Sequence, residues 1–325
     1  MIVRWGLEAY PGLLAELGIG KPLLVTSKRW VELDLPAHAR FDGVRRHAPS
    51  ETVEEATTAA ADADGLVALG GGSAIDTAKA VSATTGLPVV SIPTTYSGAE
   101  WARGFGVRDE ERGVKVSGGG ARLEGIVYDV GLTLSLPEEE TGGTALNALA
   151  HCAEALYVKG RNSEADEHAL AGAHLIAASL PRVLAEGADR DTRGELLEGA
   201  MHAGAALGSA GLGLGHAMAQ ALGGRYGISH GALNAVCLPP ALRFNEPVAG
   251  EEIARFGEAV GAGDGAAERV EELARLAGYE RLRDLGVPEP ELAIVAAAAA
   301  ERAGAKANPR LASSAEIADL LHSVW

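Results

Sequence analysis

The chain has 325 residues, is 47% hydrophobic but only 4% aromatic, and carries a formal net charge of −16. This length allows a large buried core and two domains, and the acidic balance excludes nucleic acid as a partner because no basic stripe offsets it. The sequence shows neither an apolar run long enough to cross a membrane nor a signal-peptide pattern, so we expect a cytoplasmic protein with no membrane partner.

Short apolar runs alternate with helical segments in the first part of the chain. Strands are predicted for five of these runs, at residues 22–26, 65–69, 87–93, 104–107 and 125–128. A helix is predicted at 51–61, just before the strand at 65–69. Such alternation of strand and helix implies an α/β domain with a mostly parallel sheet and right-handed crossovers.

The strand pattern disappears beyond residue 137. Long Ala- and Leu-rich helical runs follow, clearest at 141–159, 163–185 and 193–208. We therefore predict a nucleotide-binding α/β domain over residues 1–137 and an all-helical domain with the substrate or metal site over residues 138–325.

A glycine-rich turn joins the strand at 65–69 to a helix. Gly71, Gly72 and Ser73 stand where the free N–H groups and positive dipole end of that helix would meet an anion. Glycine is suited to this place because a Cβ would hold a pyrophosphate away from the backbone. The turn predicts phosphate binding, with a tight strand–helix turn as the alternative.

Ser27, Lys28 and Arg29 follow the strand at 22–26. In dinucleotide folds an acidic residue at such a strand end binds the ribose, and a basic cluster accommodates a 2′-phosphate. The three residues favour NADP(H) over NAD(H), with a solvated basic loop as the alternative. The strand at 87–93 brings residues 94–100 to the same edge of the sheet, where ligands bind.

Three of the nine histidines have unusual surroundings. His151 lies four residues after Asn147, so both share one face of a predicted helix. His216 follows the glycines of residues 211–215, and His230 enters another helix from a turn. Three imidazoles and an amide oxygen could converge on a zinc or ferrous ion. The other histidines are interpreted as ordinary hydrogen-bonded residues.

These segments, taken together, resemble the iron-containing alcohol dehydrogenase superfamily, which includes dehydroquinate synthase and glycerol dehydrogenase. The resemblance is carried in one linear order by the Gly-Gly-Gly-Ser-x-Ile-Asp-x-Ala-Lys turn (70–79), Ile-Pro-Thr-Thr (92–95), the Asn147-x3-His151 helix and the histidines at 216 and 230. It implies a dehydroquinate synthase-like fold, a nicotinamide cofactor and a homodimer.

Within that superfamily the chain is most similar to the maleylacetate reductases. Residues 93–100 resemble their Pro-Thr-Thr-Tyr-Ala-Gly-Ser-Glu segment, and residues 146–157 resemble their helix around the first histidine. Metal-dependent members carry Asp where this chain has Asn147, and a neutral amide binds a divalent cation less strongly than a carboxylate. The chain departs from both groups at residues 101–103 and at Gln220.

The resemblance implies a reaction on a small molecule: hydride transfer from NAD(P)H to the C=C bond of maleylacetate, giving 3-oxoadipate, without a metal. Hydride addition develops enolate charge, which needs donors already in place, and an imidazole can donate the proton. The predicted catalytic residues are His151, His216, His230 and Arg103. The predicted cofactor-binding residues are Ser27, Gly71, Gly72, Ser73, Asp76, Thr94, Thr95 and Lys115.

Further candidates concern substrate carboxylates and an alternative chemistry. Arg103, Lys115, Arg225 and Arg243 are cations that could bind a carboxylate, with Arg103 placed first. If zinc or iron is bound, the predicted ligands are Asn147, His151, His216 and His230. The protein would then be a metal-dependent alcohol or aldehyde dehydrogenase. A nucleotide-binding protein without catalytic activity is the remaining alternative.

Overall fold

The structure is a computed structural model that describes residues 1–109 and 114–325, except the side chains of Val114 and Lys115. The chain folds into two compact units. The first unit comprises Met1–Thr95 and Ala99–Leu136, and the second comprises Tyr96–Gly98 and Pro137–Trp325. The assignment of cofactor binding to residues 1–137 and of substrate chemistry to residues 138–325 stays a prediction.

The first unit alternates strands and helices. Its described elements are β1 (Ile2–Trp5), α1 (Tyr10–Glu16), β2 (Pro22–Thr26), β3 (Ala39–Phe41), α2 (Ser50–Ala59), β4 (Gly65–Gly70), α3 (Gly72–Thr85), β5 (Pro88–Pro93), β6 (Phe105–Asp109), β7 (Val114–Gly118) and β8 (Arg122–Tyr128).

Six of these strands form one sheet in the order β1-β8-β5-β4-β2-β3, and every pair in it is parallel. All residues of β2 and β4 are buried, because a parallel sheet is covered on both faces. A cluster of apolar side chains that includes Leu69 packs on one face of the sheet, and a cluster that includes Leu66 packs on the other face. The predicted α/β class is confirmed.

The prediction omits β1 and β3 of the main sheet, and it is incomplete for β6 and β7. They form a separate antiparallel pair, with Phe105 opposite Gly118. The apolar run at 104–107 predicts β6, whereas no run of that kind predicts β7. Arg108 and Asp109 make β6 less apolar than the buried parallel strands, and such polar strands occur in antiparallel pairs that have one face toward water.

The second unit is helical in every element that the structure describes there. These elements are α4 (Glu138–Ala155), α5 (Ser163–Ala185), α6 (Arg190–Ala210), α7 (Leu214–Tyr226), α8 (His230–Ala259), α9 (Ala266–Leu276), α10 (Leu292–Ala300), α11 (Ala303–Ala307) and α12 (Ser314–Ser323). The all-helical prediction is confirmed, and α5 has the predicted bounds.

Two helices of the second unit differ from their predicted bounds: α4 starts three residues earlier and ends four residues earlier, and α6 starts three residues earlier and ends two residues later. Pro137 is the N-cap of α4, and three glutamates fill its first turn, where the helix dipole favours negative charge. The side chain of Asp189 caps α6 by accepting from the N–H of Asp191. Both helices therefore begin before the runs from which they are predicted. None of the described helices has the length and apolar character needed to span a bilayer.

Candidate functional site

The turn between β4 and α3 is shaped to approach an anion closely. Gly70 has φ +149°, which favours glycine, and a Cβ on Gly71 would lie 2.8 Å from Cγ2 of Thr95. Gly71 is the N-cap of α3 and provides no side chain to satisfy the helix's first N–H groups. A pyrophosphate fits this turn, and the roles of Gly72 and Ser73 toward it stay predictions.

Asp76 and Lys79, one turn apart on α3, bind protein groups of their own unit. The Lys79 ammonium is buried and lies 2.9 Å from Oδ1 of Asp76, while Oδ2 of Asp76 accepts from the Gly106 N–H at 3.1 Å. Lys79 also donates to the backbone carbonyls of Ala99, Ala102 and Gly104, at 2.9, 3.2 and 2.6 Å. We call Asp76, Lys79 and these carbonyls the lysine cluster. It fixes the segment that follows Gly98, a function that the sequence analysis did not assign to either residue.

The basic residues after β2 are not equivalent. Ser27 is half-buried and Lys28 is exposed. Arg29 donates to the carbonyl and the hydroxyl of Ser135, at 2.5 and 3.0 Å, and lies 5.3 Å from the ring of Trp30. Of the two cations, Lys28 is therefore the one available to a 2′-phosphate.

Two further cations are predicted in the segment after the Thr94-Thr95 loop. Arg103 is exposed and lies between Ala102 and Gly104, whose carbonyls Lys79 holds. The side chain of Lys115 lies outside the described residues, so its predicted role has no structural account.

The remaining two predicted cations are occupied by carboxylates. Arg225 Nε lies 2.6 Å from Glu291. Arg243 pairs with Glu268 at 2.8 Å and with Glu271 at 2.6 Å. Neither arginine therefore presents an unneutralised charge to a substrate.

The structure brings the three selected histidines of the second unit together. His151 on α4 and His216 on α7 have ring centroids 4.7 Å apart and nearly parallel planes, at 17°. The ring of His230, at the start of α8, lies 5.6 Å from that of His216. With Asn147, one turn before His151, these residues form what we call the histidine cluster.

Glu154 orients His216. This fully buried carboxylate accepts from Nδ1 of His216 at 2.7 Å and from the backbone N–H groups of Gly213 and His216 at 2.6 and 3.1 Å. The carboxylate thereby fixes the imidazole with a proton at Nδ1 and leaves Nε2 as the nitrogen open to another group. Nε2 is buried and has no hydrogen-bond partner among the described residues.

Asn147 is held by protein groups on both sides of its amide. Its Nδ2 donates to the carbonyl of Ser97 at 3.0 Å, and its Oδ1 accepts from Nδ2 of Asn234 at 2.6 Å. Because a carbonyl can only accept, the Ser97 contact fixes which end of the amide is nitrogen. The same Nδ2 lies 3.5 Å from Nε2 of His151, so Asn147 presents a donor, and not its oxygen, to the imidazole.

His151 is a neutral imidazole at neutral pH. Burial lowers its pKa well below the ordinary value, and repulsion from His216 and His230 lowers the pKa further. Its Nδ1 is buried without a partner among the residues described. A Cβ on Gly98, which has φ +71°, would lie 3.4 Å from this nitrogen. Glycine at position 98 therefore leaves room beside Nδ1.

The arrangement differs from that of a ready metal site. Within residues 1–109 and 114–325, no group of three or more His, Cys, Asp or Glu side chains is placed to hold a metal ion. The oxygen that Asn147 would offer to a metal is occupied by Asn234. The four predicted ligands are neighbours, and their role as ligands stays a prediction.

Sequence reasoning assigned no role to the partners of the cluster. Glu154 lies three residues after His151 and thus near the same face of α4, so its spacing carried a usable signal. Asn234 lies four residues after His230 and mirrors the Asn147-x3-His151 pair, which was a second signal. The carbonyl of Ser97 gave none, because any residue carries one.

Comparisons with known proteins cover both units of the chain. A family model described as "Iron-containing alcohol dehydrogenase" matches residues 5–123, and "Fe-containing alcohol dehydrogenase family, C-terminal" matches residues 141–325. The maleylacetate reductase of Sphingobium indicum is 36% identical over 285 residues, 86% of this chain and 80% of that protein.

Solved structures of similar proteins cover the whole chain. A putative alcohol dehydrogenase from Ralstonia eutropha has a TM-score of 0.93 and 32% identity, with 100% of this chain and 95% of that chain covered. The maleylacetate reductase from Rhizobium sp. has a TM-score of 0.89 and 30% identity, with the same coverage of 100% and 95%. The chain therefore belongs to the iron-containing alcohol dehydrogenase family and is an NAD(P)-dependent oxidoreductase.

Proposed function

We propose that this oxidoreductase reduces the C=C bond of a small carboxylate-bearing enone, converting maleylacetate to 3-oxoadipate. Relatives at 36% and 30% identity are named maleylacetate reductases, which supports this substrate class. The observation that carries the proposal is the Glu154–His216 pair. In this pair the Glu154 carboxylate holds Nδ1 of the buried His216 imidazole, and Nε2 is left without a partner among the described residues.

The first unit would bind the cofactor. The N–H groups at Gly71, Gly72 and Ser73 would hold the pyrophosphate, and Thr94 and Thr95 would position the ribose and nicotinamide. Gly71 lies so close to Thr95 that a larger residue at position 71 would collide with the threonine. This closeness supports the assignment of neighbouring parts of one cofactor to the glycine turn and to the threonines. When bound, the reduced nicotinamide supplies the hydride.

Ser27 and Lys28 would make NADPH the preferred cofactor over NADH. A serine at the end of β2 leaves space for a 2′-phosphate, and the exposed Lys28 supplies a positive charge. Asp76 and Lys115 complete the predicted cofactor contacts, with Asp76 acting from within the lysine cluster.

The histidine cluster would stabilise the charge that hydride transfer creates. Addition of hydride to one carbon of the enone makes an enolate, and protonation of the neighbouring carbon completes the saturated ketone. His216 would donate this proton as an imidazolium, which is held at Nδ1 by the Glu154 carboxylate and carries its second proton at Nε2; passing the Nε2 proton to the carbon leaves the neutral imidazole with its proton at Nδ1. His151 and His230 would add hydrogen-bond donors for the enolate oxygen, and Arg103 would attract the substrate's negative charge.

We further propose that the reaction needs no metal. Asn147 supports this, because its amide is neutral and its oxygen is already bound by Asn234. The second candidate function is a metal-dependent alcohol or aldehyde dehydrogenase. The observation that favours it is that two buried imidazole nitrogens, Nδ1 of His151 and Nε2 of His216, lack partners among the described residues.

One experiment separates the two functions. NADPH and NADH oxidation with maleylacetate is measured before and after chelation, and the zinc and iron contents of the purified protein are determined. Turnover that persists without metal, faster with NADPH, is the expected result. Stoichiometric zinc or iron, with turnover of alcohols or aldehydes that is lost on chelation, would replace the proposal by the second candidate.

The assembly and location of the protein are part of the same proposal. The resemblance supports a homodimer, and the net charge of −16 supports a protein that acts on small molecules and not on nucleic acid. We propose that it acts in the cytoplasm. Light scattering during gel filtration tests the dimer, which a monomeric mass would contradict.

A further inference from the structure

A substrate with two carboxylates needs a cation for the carboxylate remote from the reacting bond. Arg225 and Arg243, which the sequence suggested, are neutralised by Glu291 and by Glu268 with Glu271. A cation that has no protein anion is a better candidate, because its charge becomes fully paired only when an anionic ligand binds.

Arg302, which immediately precedes α11, fits this description among the described residues. Its side chain is half-buried, and its Nε is buried without a hydrogen-bond partner in that part of the chain. Nη1 of the guanidinium lies 3.5 Å from Oε1 of Gln220, a neutral amide. Burial lowers the pKa of the guanidinium, as expected for a charge that loses water and gains no counter-charge.

Gln220 connects Arg302 to the histidine cluster. It lies four residues after His216 on α7, so the two side chains share one face of that helix. The packing of α11 on α7 is tight, because a Cβ on Gly304 would collide with the carbonyl oxygen of Gly213. The end of α11 that begins after Arg302 is therefore held beside the helix that carries His216.

We propose that Arg302, together with the amide of Gln220, binds a carboxylate of the substrate on the face of α7 that carries His216. A guanidinium offers parallel N–H groups that match the two oxygens of a carboxylate. While Oε1 of Gln220 accepts from the guanidinium, Nε2 of the same amide can donate to the ligand. The inference rests on the proposed function for the identity of the substrate, and on the Arg302 geometry for the site.

The test compares Arg302→Gln with a matched control. Arg269 on α9 also has a buried Nε without a partner among the described residues, but its Nη1 pairs with Glu272 at 3.0 Å. We expect Arg302→Gln to raise KM for maleylacetate about 10- to 100-fold, the value of a hydrogen bond to a charged group, with a smaller change in kcat. Arg269→Gln should keep the wild-type KM.

A binding measurement makes the inference independent of turnover. Maleate, a dicarboxylate without the ketone, is titrated calorimetrically into the wild type and each variant. Arg302→Gln should weaken maleate binding by the same factor by which it raises KM for maleylacetate. Arg302→Lys, which keeps the positive charge without the parallel N–H groups of the guanidinium, should weaken maleate binding less. Added guanidinium ion should partly restore binding to Arg302→Ala.

The outcomes separate the two proposals. If the wild type binds maleate through Arg302 but does not reduce maleylacetate, the proposed function fails and the carboxylate site stands. If Arg302→Gln and Arg302→Lys bind maleate as the wild type does, the carboxylate site is wrong whatever the enzyme reduces. Equal losses in Arg302→Gln and Arg269→Gln would also overturn it, because they would reflect a general effect of removing a buried arginine.

Discussion

The lysine cluster and the histidine cluster are both buried polar groups, but their hydrogen bonds are completed to different extents. Lys79 has one carboxylate and three carbonyls around its ammonium, and both oxygens of Asp76 have protein partners. In the histidine cluster, Nδ1 of His151 and Nε2 of His216 have none among the described residues.

This difference separates structural from functional polar groups. A buried charge whose partners all come from the protein stabilises one conformation of the chain, as Lys79 does for residues 99–104. A buried nitrogen without a partner costs stability, and a bound ligand can remove that cost by completing the hydrogen bond. We therefore expect a change at Lys79 to affect mainly stability and changes in the histidine cluster to affect mainly activity.

The largest effect is expected from Glu154→Gln. The amide is nearly isosteric with the carboxylate, and its oxygen can still accept from a backbone N–H. Because the amide is neutral, it no longer attracts the Nδ1 proton of His216 with a negative charge. We expect kcat/KM to fall about 10²- to 10⁴-fold, the range for loss of general acid–base catalysis, with a small change in melting temperature. Steady-state kinetics and thermal unfolding measure the two quantities.

The control for this variant is Glu195→Gln. Glu195 is a partly exposed carboxylate that pairs with Arg182 at 2.7 Å, and its loss should leave both quantities near the wild-type values. A fall in kcat/KM of only a few-fold in Glu154→Gln would contradict the role of the Glu154–His216 pair. A fall that merely follows unfolding would do the same.

Lys79→Met should show the opposite behaviour. Removing the ammonium leaves Asp76 without its counter-charge and three carbonyls without a donor. We expect the free energy of unfolding to drop by about 3–5 kcal/mol, as when one partner of a buried ion pair is lost. Urea unfolding measures the drop, and Lys21→Met, which changes an exposed side chain, should not reproduce it. A stability within about 1 kcal/mol of wild type would show that the lysine cluster is dispensable.

The features of the fold and the site that were predicted correctly from the sequence depend on residues that lie close together along the chain. The glycine turn before α3 and the Asn147-x3-His151 pair each lie within one strand–helix junction or one helix, so local periodicity was sufficient. The parallel sheet followed from the alternation of strands and helices. The pairing of Asp76 with Lys79 was accessible in the same way, because the two residues are three apart on α3.

The parts missed depend on distant residues. The amide of Asn147 is bound by Asn234, 87 residues away, and by Ser97, 50 residues away. Its role as a possible metal ligand could not be judged from sequence, because that role depends on which way these partners turn the amide. Arg225 and Arg243 could not be judged as substrate cations for the same reason, since only tertiary structure shows that Glu291 pairs with Arg225 and that Glu268 and Glu271 pair with Arg243.

Asn147→Asp sharpens the comparison by adding a charge to the histidine cluster. One carboxylate oxygen would still accept from Asn234, but the other would face the carbonyl of Ser97, where Nδ2 now donates. We expect the free energy of unfolding to fall by about 1–3 kcal/mol, the cost of an unsatisfied buried group. Zinc should restore it, because the variant gains an anionic ligand beside imidazoles.

Thermal unfolding with and without zinc sulfate tests this variant. The melting temperature of Asn147→Asp should rise with zinc by more than that of the wild type, and Asn147→Ala should resemble the wild type in its zinc response. Equal zinc responses in all three proteins would indicate that position 147 does not control metal affinity.

The smallest effect is a pH dependence of stability from His151. Its pKa lies well below the ordinary value of 6.5 in the folded protein, so between these two values the unfolded chain binds a proton that the folded protein does not. The contribution to stability is complete above pH 6.5 and is lost as the pH falls below it.

His216 and His230, which face His151, remain in His151→Gln, so the variant isolates one group. Its free energy of unfolding, measured in urea from pH 8 to pH 5, should fall less steeply than that of the wild type, by up to about 1.4 kcal/mol per pH unit. Parallel curves would mean that His151 binds its proton equally well in both states, and burial in the histidine cluster would then not be what keeps it neutral.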